Sequence, residues 1–420
     1  MSILTKNLPN GLAVIVEEMD HVESASYDVV VPGGIISDAA NSIGATLVLA
    51  ELLGKGAGEL DSRALAEAFD GAGIRHGEGA GTDRYTLGGS MVASKLNKGL
   101  ELVSSIVLNA TLPEEDIPAI QSILLQDLES LKDSPARRAM VELTQRFYPD
   151  PFNRSSLGDI KGIQSVDRDL LQAIHSSYFR PARAIVSVAG KVNAGQVVSV
   201  IEELFGAWQG AAPELPALGE NPPHRYYHIP DDSAQLQIVM AIPSAKVSDP
   251  LFYEARIIAS ILGASMFGRL FVEVREKRGL CYSVYARHGA SNHFGTMTAY
   301  VGTTPERAQE SMDVLLQEFD RLAGTITQEE LDRSRTNLKA SLIMGEESPG
   351  ARAASNAMDW WLLGRVRSLE EINQAIDQVS LSSLDLYFEK FPFKPCSILT
   401  LGRKALTVSN DFAGGGALLS

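Results

Sequence analysis

The sequence predicts two tandem α+β domains of like topology. Three observations point there. At 420 residues the chain is too long for one ordinary core, and domains of about 200 residues are the usual scale. Strands and helices then follow one another in the same order in both halves. Finally, the helix-opening segment Thr111-Leu112-Pro113-Glu114-Glu115-Asp116 returns as Thr325-Ile326-Thr327-Gln328-Glu329-Glu330, 214 residues further on. The expected division is residues 1–212, a linker at 213–224, and residues 225–420. The segment Gly210 to Pro223 carries four prolines and few large apolar side chains, as a linker does.

The elements follow in order. Asn10-Gly11 is a turn signal ahead of a strand over Leu12–Val16, and Ala25 to Val31 reads as a second strand before Pro32-Gly33-Gly34. Ala45, Leu49, Leu52 and Leu53 recur at helical spacing, which predicts a helix from Ser42 to Leu53 closed by Gly54 and Gly56. Asp61 caps a helix over Ser62–Phe69. A strand pair at Ile74–Gly77 and Tyr85–Val92 follows, then helices over Lys95–Asn109 and Glu114–Lys132. Ala184–Gly190 reads as a buried strand and Ala194–Trp208 as a helix. In the second half the expectation is a strand at Gln235–Ile242, a helix at Phe252–Leu262 and a further helix after Gly263. Strands at Tyr282–His288 and Gly295–Val301 and a helix at Pro305–Ala323 follow. Thr327 and Glu330 fit a capping box opening a long helix. A last strand at Ser397–Gly402 mirrors Ala184–Gly190. Trp360-Trp361-Leu362-Leu363 is an apolar stretch on a helix, read as core. Gly33-Gly34, Gly79-Ala80-Gly81 and Gly414-Gly415-Gly416 read as turns or a frayed end.

Composition excludes several classes. Apolar residues make up 45% and charged residues 21%, which is globular composition. A formal charge of −15 argues against a nucleic-acid-binding surface. Two cysteines, Cys281 and Cys396, cannot make a disulfide framework or a four-thiolate zinc site. No apolar run of about 18 residues exists, so no membrane span is expected. Met1 to Lys6 has no apolar signal region. A cytoplasmic location is the expectation, or a periplasmic one for a chain whose signal peptide has been removed. The seven histidines read as surface residues. His224 and His228 have i,i+4 spacing, but in a strand that places them about 13 Å apart, too far to share a metal.

The most informative segment is Phe267-Gly268-Arg269-Leu270-Phe271-Val272-Glu273-Val274-Arg275-Glu276-Lys277-Arg278-Gly279-Leu280-Cys281-Tyr282-Ser283-Val284. Read alone, Arg275-Glu276-Lys277-Arg278 is a solvated helix end with Gly279 as its stop and Tyr282 as an ordinary strand tyrosine. The segment resembles the second-domain signature of the pitrilysin, or insulinase-like, family of zinc metallopeptidases, of the mitochondrial-processing-peptidase type. The resemblance implies two homologous α/β-roll-like domains, each an antiparallel-rich sheet packed with helices.

That family holds zinc on the first helix of its first domain, in a histidine-x-x-glutamate-histidine motif. Two histidines on one helical face bind the metal and the glutamate activates its water. Here the matching segment is Gly44-Ala45-Thr46-Leu47-Val48-Leu49-Ala50-Glu51-Leu52-Leu53-Gly54-Lys55-Gly56. Leu47 stands at the first histidine, Ala50 at the catalytic glutamate and Glu51 at the second histidine. Asp127, in Ile123-Leu124-Leu125-Gln126-Asp127-Leu128, stands at the third ligand. Catalytic zinc needs about three protein ligands, so these degenerate positions imply no metal in this chain. In the family, the arginine and tyrosine at Arg275 and Tyr282 bind substrate and stabilise the oxyanion. Some members divide labour between a zinc-bearing subunit and one that lacks zinc but keeps this pair. The resemblance therefore implies a non-catalytic subunit of a heterodimeric zinc peptidase, with zinc in the homologous partner and a peptide or unfolded protein as substrate. An inert scaffold subunit and a homodimeric peptide-binding module are the alternatives.

Overall fold

A computed structural model describes residues 3–211, 214–263, 265–345 and 347–413. Gly414-Gly415-Gly416 and Pro213 of the expected linker lie outside them. The chain forms two compact units, and neither is continuous in sequence. Unit 1 is Met1–Ser130, Asp150–Gly219 and Gly345–Val366, and unit 2 is Leu131–Pro149, Glu220–Met344 and Arg367–Ser420. The boundary at Gly219 falls inside the expected linker. The expected division into 1–212 and 225–420, however, omits an exchange: each half of the chain contributes one helical segment to the other half's unit.

Unit 1 contains β1 (Ile3–Asn7), β2 (Ala13–Glu18), β3 (Ser24–Pro32), a two-strand ribbon of β4 (Gly56–Ala57) and β5 (Leu60–Asp61), β6 (Arg75–Ala80), β7 (Arg84–Val92) and β8 (Ile185–Gly190). Six of them form a sheet in the order β1-β2-β8-β3-β7-β6. Only β2 and β8 run parallel; the other neighbours are antiparallel. Period-two alternation assigns the faces. Along β3, Tyr27, Val29 and Val31 enter the main core with the helices Ala45–Leu53 and Leu96–Asn109. Val30 points the other way, joining Ala13, Ile15 and Ile185 beneath Ala357 and Trp361 of the helix Pro349–Leu363. The tryptophan stretch is therefore core.

Unit 2 contains β9 (Tyr226–Pro230), β10 (Leu236–Ser244), β11 (Cys281–Ala290), β12 (Gly295–Thr303) and β13 (Ser397–Gly402). Their order is β11-β12-β10-β13-β9, with β13 and β9 parallel and the rest antiparallel. One face packs on the helices Phe252–Gly263 and Ala308–Asp320. The opposite face, Val239, Ala241, Tyr300, Leu399 and Leu401, is covered by Ala139, Leu143 and Phe147 of the helix Pro135–Phe147. Strand for strand, the order β9-β13-β10-β12-β11 repeats β2-β8-β3-β7-β6, which is the expected duplication.

The exchanged helices repeat as well. Ser134-Pro135 and Ser348-Pro349 open them, and proline is well placed there because a first-turn N–H has no intrahelical acceptor. Each carries an arginine tied to a carboxylate at or just after its sheet's matching strand. Arg352 Nε donates to Glu17 Oε2 at 2.8 Å, and Arg138 Nη1 to Asp231 Oδ2 at 2.8 Å. Among the described residues six α-helices were not foreseen: Pro135–Phe147, Ile160–Gln164, Arg168–Tyr178, Leu369–Gln378, Leu381–Lys390 and Asn410–Ala413. Gly33 and Gly34, with φ of 141° and 81°, join β3 to the short 3-10 helix Ile35–Ser37 rather than forming a turn of their own, and Gly79 and Ala80 belong to strand β6.

Candidate functional site

The helical segment after Gly268 departs from α-geometry. Phe271–Glu276 is a π-helical turn, with Lys277 N donating to Val272 O at 2.9 Å, and such turns are frequent at functional sites. Leu270, Val274 and Leu280 are buried and fix one side of it to the unit 2 core. Arg269 fixes its start. Its guanidinium donates to both Glu330 oxygens, at 2.7 and 2.8 Å, and to Thr325 Oγ1 and O, at 2.9 and 2.8 Å. Glu330 also closes the expected capping box of Gln328–Gly345, accepting from Thr327 N at 2.9 Å.

The basic run then divides. Lys277 Nζ donates to Glu273 Oε1 at 2.6 Å and Arg278 Nη1 to Glu273 Oε2 at 2.7 Å, and these bonds hold the Glu273 carboxyl below the usual carboxylate range. Arg275 differs. Among the described residues it has no carboxylate partner. Its guanidinium instead lies 4.9 Å from the ring centroid of Phe271 and 5.4 Å from that of Tyr282. Cation–π stacking orients the guanidinium while leaving its N–H donors unspent. Gly279, at φ 60°, stops the helix as expected.

Tyr282 is presented by a second irregularity. In the β11–β12 ladder Cys281 pairs with Thr303 and Ser283 with Gly302, so Tyr282 is the extra residue of a β-bulge. A bulge re-aims a side chain. Because β11 is also the edge strand, the ring is 79% exposed. Thr303 Oγ1, donating to Leu280 O at 2.6 Å, holds the backbone beside it. Burial pushes the neighbouring Cys281 thiol up to about 11, so it is protonated at neutral pH and a poor nucleophile. The structure thus brings Arg275 and Tyr282 together with Phe271. No feature of residue type announced Phe271 or the bulge.

The zinc-motif positions lie in unit 1. Asp38 accepts from Gly44 N at 2.7 Å and Thr46 N at 3.0 Å, anchoring the start of the helix Ala45–Leu53 although burial pushes its carboxyl up to about 6. On this helix Leu47 is half-buried, Ala50 buried and Glu51 exposed. The helix packs against Ile117–Ser130, where Asp127 is half-buried and its main-chain oxygen accepts from Ser130 Oγ at 2.6 Å. The donor set at the four positions is two carboxylates and no imidazole, which does not fit zinc. Among the described residues no group of three or more His, Cys, Asp or Glu could hold a metal.

His21, His76 and His293 are exposed as expected, whereas His175, His224, His228 and His288 are half-buried or buried. His228 is 7% exposed, with Nδ1 3.0 Å from Thr400 Oγ1. His224 Nδ1 lies 3.1 Å from Ser397 Oγ. Alternation places His228 on the same strand face as the buried Tyr226, a signal the sequence did carry. His175 stacks on Phe179 at 4.3 Å, and burial lowers its pKa to about 4. No helix among the described residues is long and apolar enough to cross a membrane.

Comparison with known proteins adds to this geometry. Residues 165–338 match the family model described as Peptidase M16 inactive domain. The chain is 27% identical over 385 residues to an uncharacterized zinc protease of Mycobacterium bovis, covering 90% of this chain and 88% of that one. It is 24% identical over 380 residues to an uncharacterized zinc protease of Rickettsia bellii, covering 90% and 92%. A crystal structure of a peptidase M16 inactive domain from Pseudomonas fluorescens has the same fold, with a TM-score of 0.86 at 22% identity over 97% of this chain and 99% of that one.

Proposed function

We propose, from the premise that the chain belongs to the M16 family of peptidases, that it is the non-catalytic subunit of a two-chain zinc peptidase. It supplies Arg275 and Tyr282 to a site whose zinc belongs to a homologous partner. One observation carries the reading: the two halves of the chemistry have separated. The zinc positions hold Leu47, Ala50, Glu51 and Asp127, while Arg275 and Tyr282 stand together, exposed and unspent, on two backbone irregularities.

The roles follow from the donors. Peptide hydrolysis builds negative charge on the scissile carbonyl oxygen, and a preorganised donor aimed at that oxygen lowers the barrier. The Tyr282 hydroxyl is such a donor, carried on a rigid ring. The Arg275 guanidinium offers several N–H groups in a fixed fork and holds a substrate carbonyl in both ground and transition states. The metal-bound water and its activation belong to the partner.

The test combines this chain with a homologue from the same source that carries an intact zinc motif. Peptide hydrolysis should require both chains. Equal hydrolysis by the partner alone would leave this chain as a scaffold.

A further inference from the structure

Unit 1 has a cavity of about 530 Å³ between its sheet and the helix Pro349–Leu363, over β3, β7 and β6. That volume is in the range of small-ligand pockets. The strand register settles which side chains share it. Asp28 of β3 pairs with Gly88 of β7, and Gly88 with Gly77 of β6. Alternation puts Asp28 on the sheet face of Val30, the face that Ala357 and Trp361 cover. Cross-strand partners share a face, so Thr86, Gly88 and Ser90 lie there too, as do Arg75 and Gly77. The opposite face takes Tyr27, in the main core, and His76, stacked on Phe69. From the helix, Gly350, Ala354 and Met358 at four-residue spacing complete the lining.

Glycines make the space. A Cβ built on Gly77 would meet nothing within 4 Å, and one on Gly88 would have Tyr27 O at 3.9 Å and Asp28 Oδ1 at 4.0 Å beside it. The Asp28 carboxylate thus lies beside the glycine floor. Among the described residues it accepts no hydrogen bond and forms no ion pair. Burial pushes it up to about 6, and Arg84, the cation that opposes this, donates to Asp83 Oδ1 at 2.6 Å. Asp28 has therefore given up water without gaining a paired counter-charge, which is costly unless something else supplies one. A metal does not fit, because Asp28 is the only carboxylate lining the cavity among the described residues. Thr86 Oγ1 and Ser90 Oγ add neutral acceptors, the second sharing a 2.8 Å hydrogen bond with Ser26 Oγ.

We infer that this cavity binds one organic cation, a primary ammonium or guanidinium group, against Asp28. Such a group carries several N–H donors, enough for the carboxylate and a hydroxyl together. Arg75, exposed on the edge strand β6, lines the same cavity and repels a second positive charge, so a monocation fits better than a polyamine. The cation is either a lysine or arginine side chain of a peptide or a free small amine, and one experiment distinguishes them. The inference stands apart from the subunit reading, whose Arg275 and Tyr282 belong to unit 2.

Isothermal titration calorimetry on the full chain would compare cations with neutral counterparts of the same shape. The first set is an unstructured, N-acetylated and C-amidated peptide carrying one lysine, one arginine or one norleucine and no other charge. The second set is n-butylammonium, n-butylguanidinium and n-butanol. In at least one set a cation should bind about tenfold or more tightly than its neutral counterpart. A preference among the peptides alone assigns the site to a side chain, and one among the small molecules as well assigns it to free amines. Asp28→Asn and Ala354→Leu should each remove the preference, the first by deleting the charge and the second by filling the cavity. Asparagine keeps the shape of aspartate and Ala354 is exposed, so both variants keep the fold. Equal binding of cations and neutral counterparts, no binding of any probe, or a preference surviving both substitutions would overturn the inference. Tyr282→Phe should leave the preference unchanged.

Discussion

Arg352 ties the helix Pro349–Leu363 into the sheet of unit 1, and its removal gives the sharpest test of the helix exchange. Its side chain is 4% exposed and that of Glu17 is 1% exposed. Asn356 completes the cluster, its Nδ2 donating to Glu17 Oε2 at 2.7 Å. Arg352→Met keeps most of the apolar stem and deletes the charge, leaving a buried carboxylate with Asn356 as its main remaining donor. Breaking a buried pair from one side costs about 3–5 kcal/mol. At about 2–4 °C per kcal/mol for a body of this size, the unit 1 melting transition should fall by roughly 6–20 °C. Arg138 occupies the matching place in the other exchanged helix, but it and Asp231 are 31% and 19% exposed. Solvent screens that pair, so Arg138→Met should cost about 1 kcal/mol or less. The double change Glu17→Gln with Arg352→Met removes both charges and should recover part of the loss. Differential scanning calorimetry of the four proteins decides the matter. If Arg352→Met lowers the transition no more than Arg138→Met, the buried clasp does not hold this helix.

Three further outcomes are expected. Dialysed chain should contain well under one zinc per molecule by atomic emission, since Glu51 and Asp127 are two ligands where about three are needed; stoichiometric tight zinc would contradict this. Installing the motif by Leu47→His, Ala50→Glu, Glu51→His and Asp127→Glu should lower stability and give little hydrolysis, because unpaired buried polar groups cost about 1–3 kcal/mol each and Ala50 is buried; brisk turnover would refute it. His288, lowered to about 4, makes a contribution fully present above its unfolded pKa of about 6.5, and it declines as pH falls toward 4 by up to about 3 kcal/mol. Asp28 and Asp38, raised to about 6, act with the opposite sign over that window, but they are common to both proteins. Urea unfolding of His288→Gln at neutral pH and pH 4.5 should therefore show a smaller loss than wild type, and an equal loss would remove the assignment.

Much of this was legible in the residues. Periodicity found Ser397–Gly402 at its observed bounds, and the capping box at Thr327 formed as expected. The repeat at Thr111 and Thr325 announced a duplication that the strand orders reproduce. What escaped was long-range. A helix pattern states that one face is apolar but not which sheet will cover it, so the exchange of Pro135–Phe147 and Pro349–Leu363 was missed, although Ser134-Pro135 and Ser348-Pro349 keep the 214-residue repeat distance. The bulge at Tyr282 was hidden because an inserted strand residue has no compositional mark.

The most direct measurement is steady-state hydrolysis by the assembled two-chain enzyme carrying Tyr282→Phe. The change deletes one hydroxyl from a ring that is 79% exposed in the isolated chain, so folding and assembly should be untouched, as size-exclusion chromatography would verify. A donor acting on the developing oxyanion is worth about 2.7–4 kcal/mol, so kcat should fall roughly 100- to 1,000-fold with little change in KM. Arg275→Ala should lower kcat and raise KM together, since its guanidinium also holds the ground-state carbonyl. A Tyr282→Phe complex that assembles normally and turns over at the wild-type rate would contradict the role given to this chain.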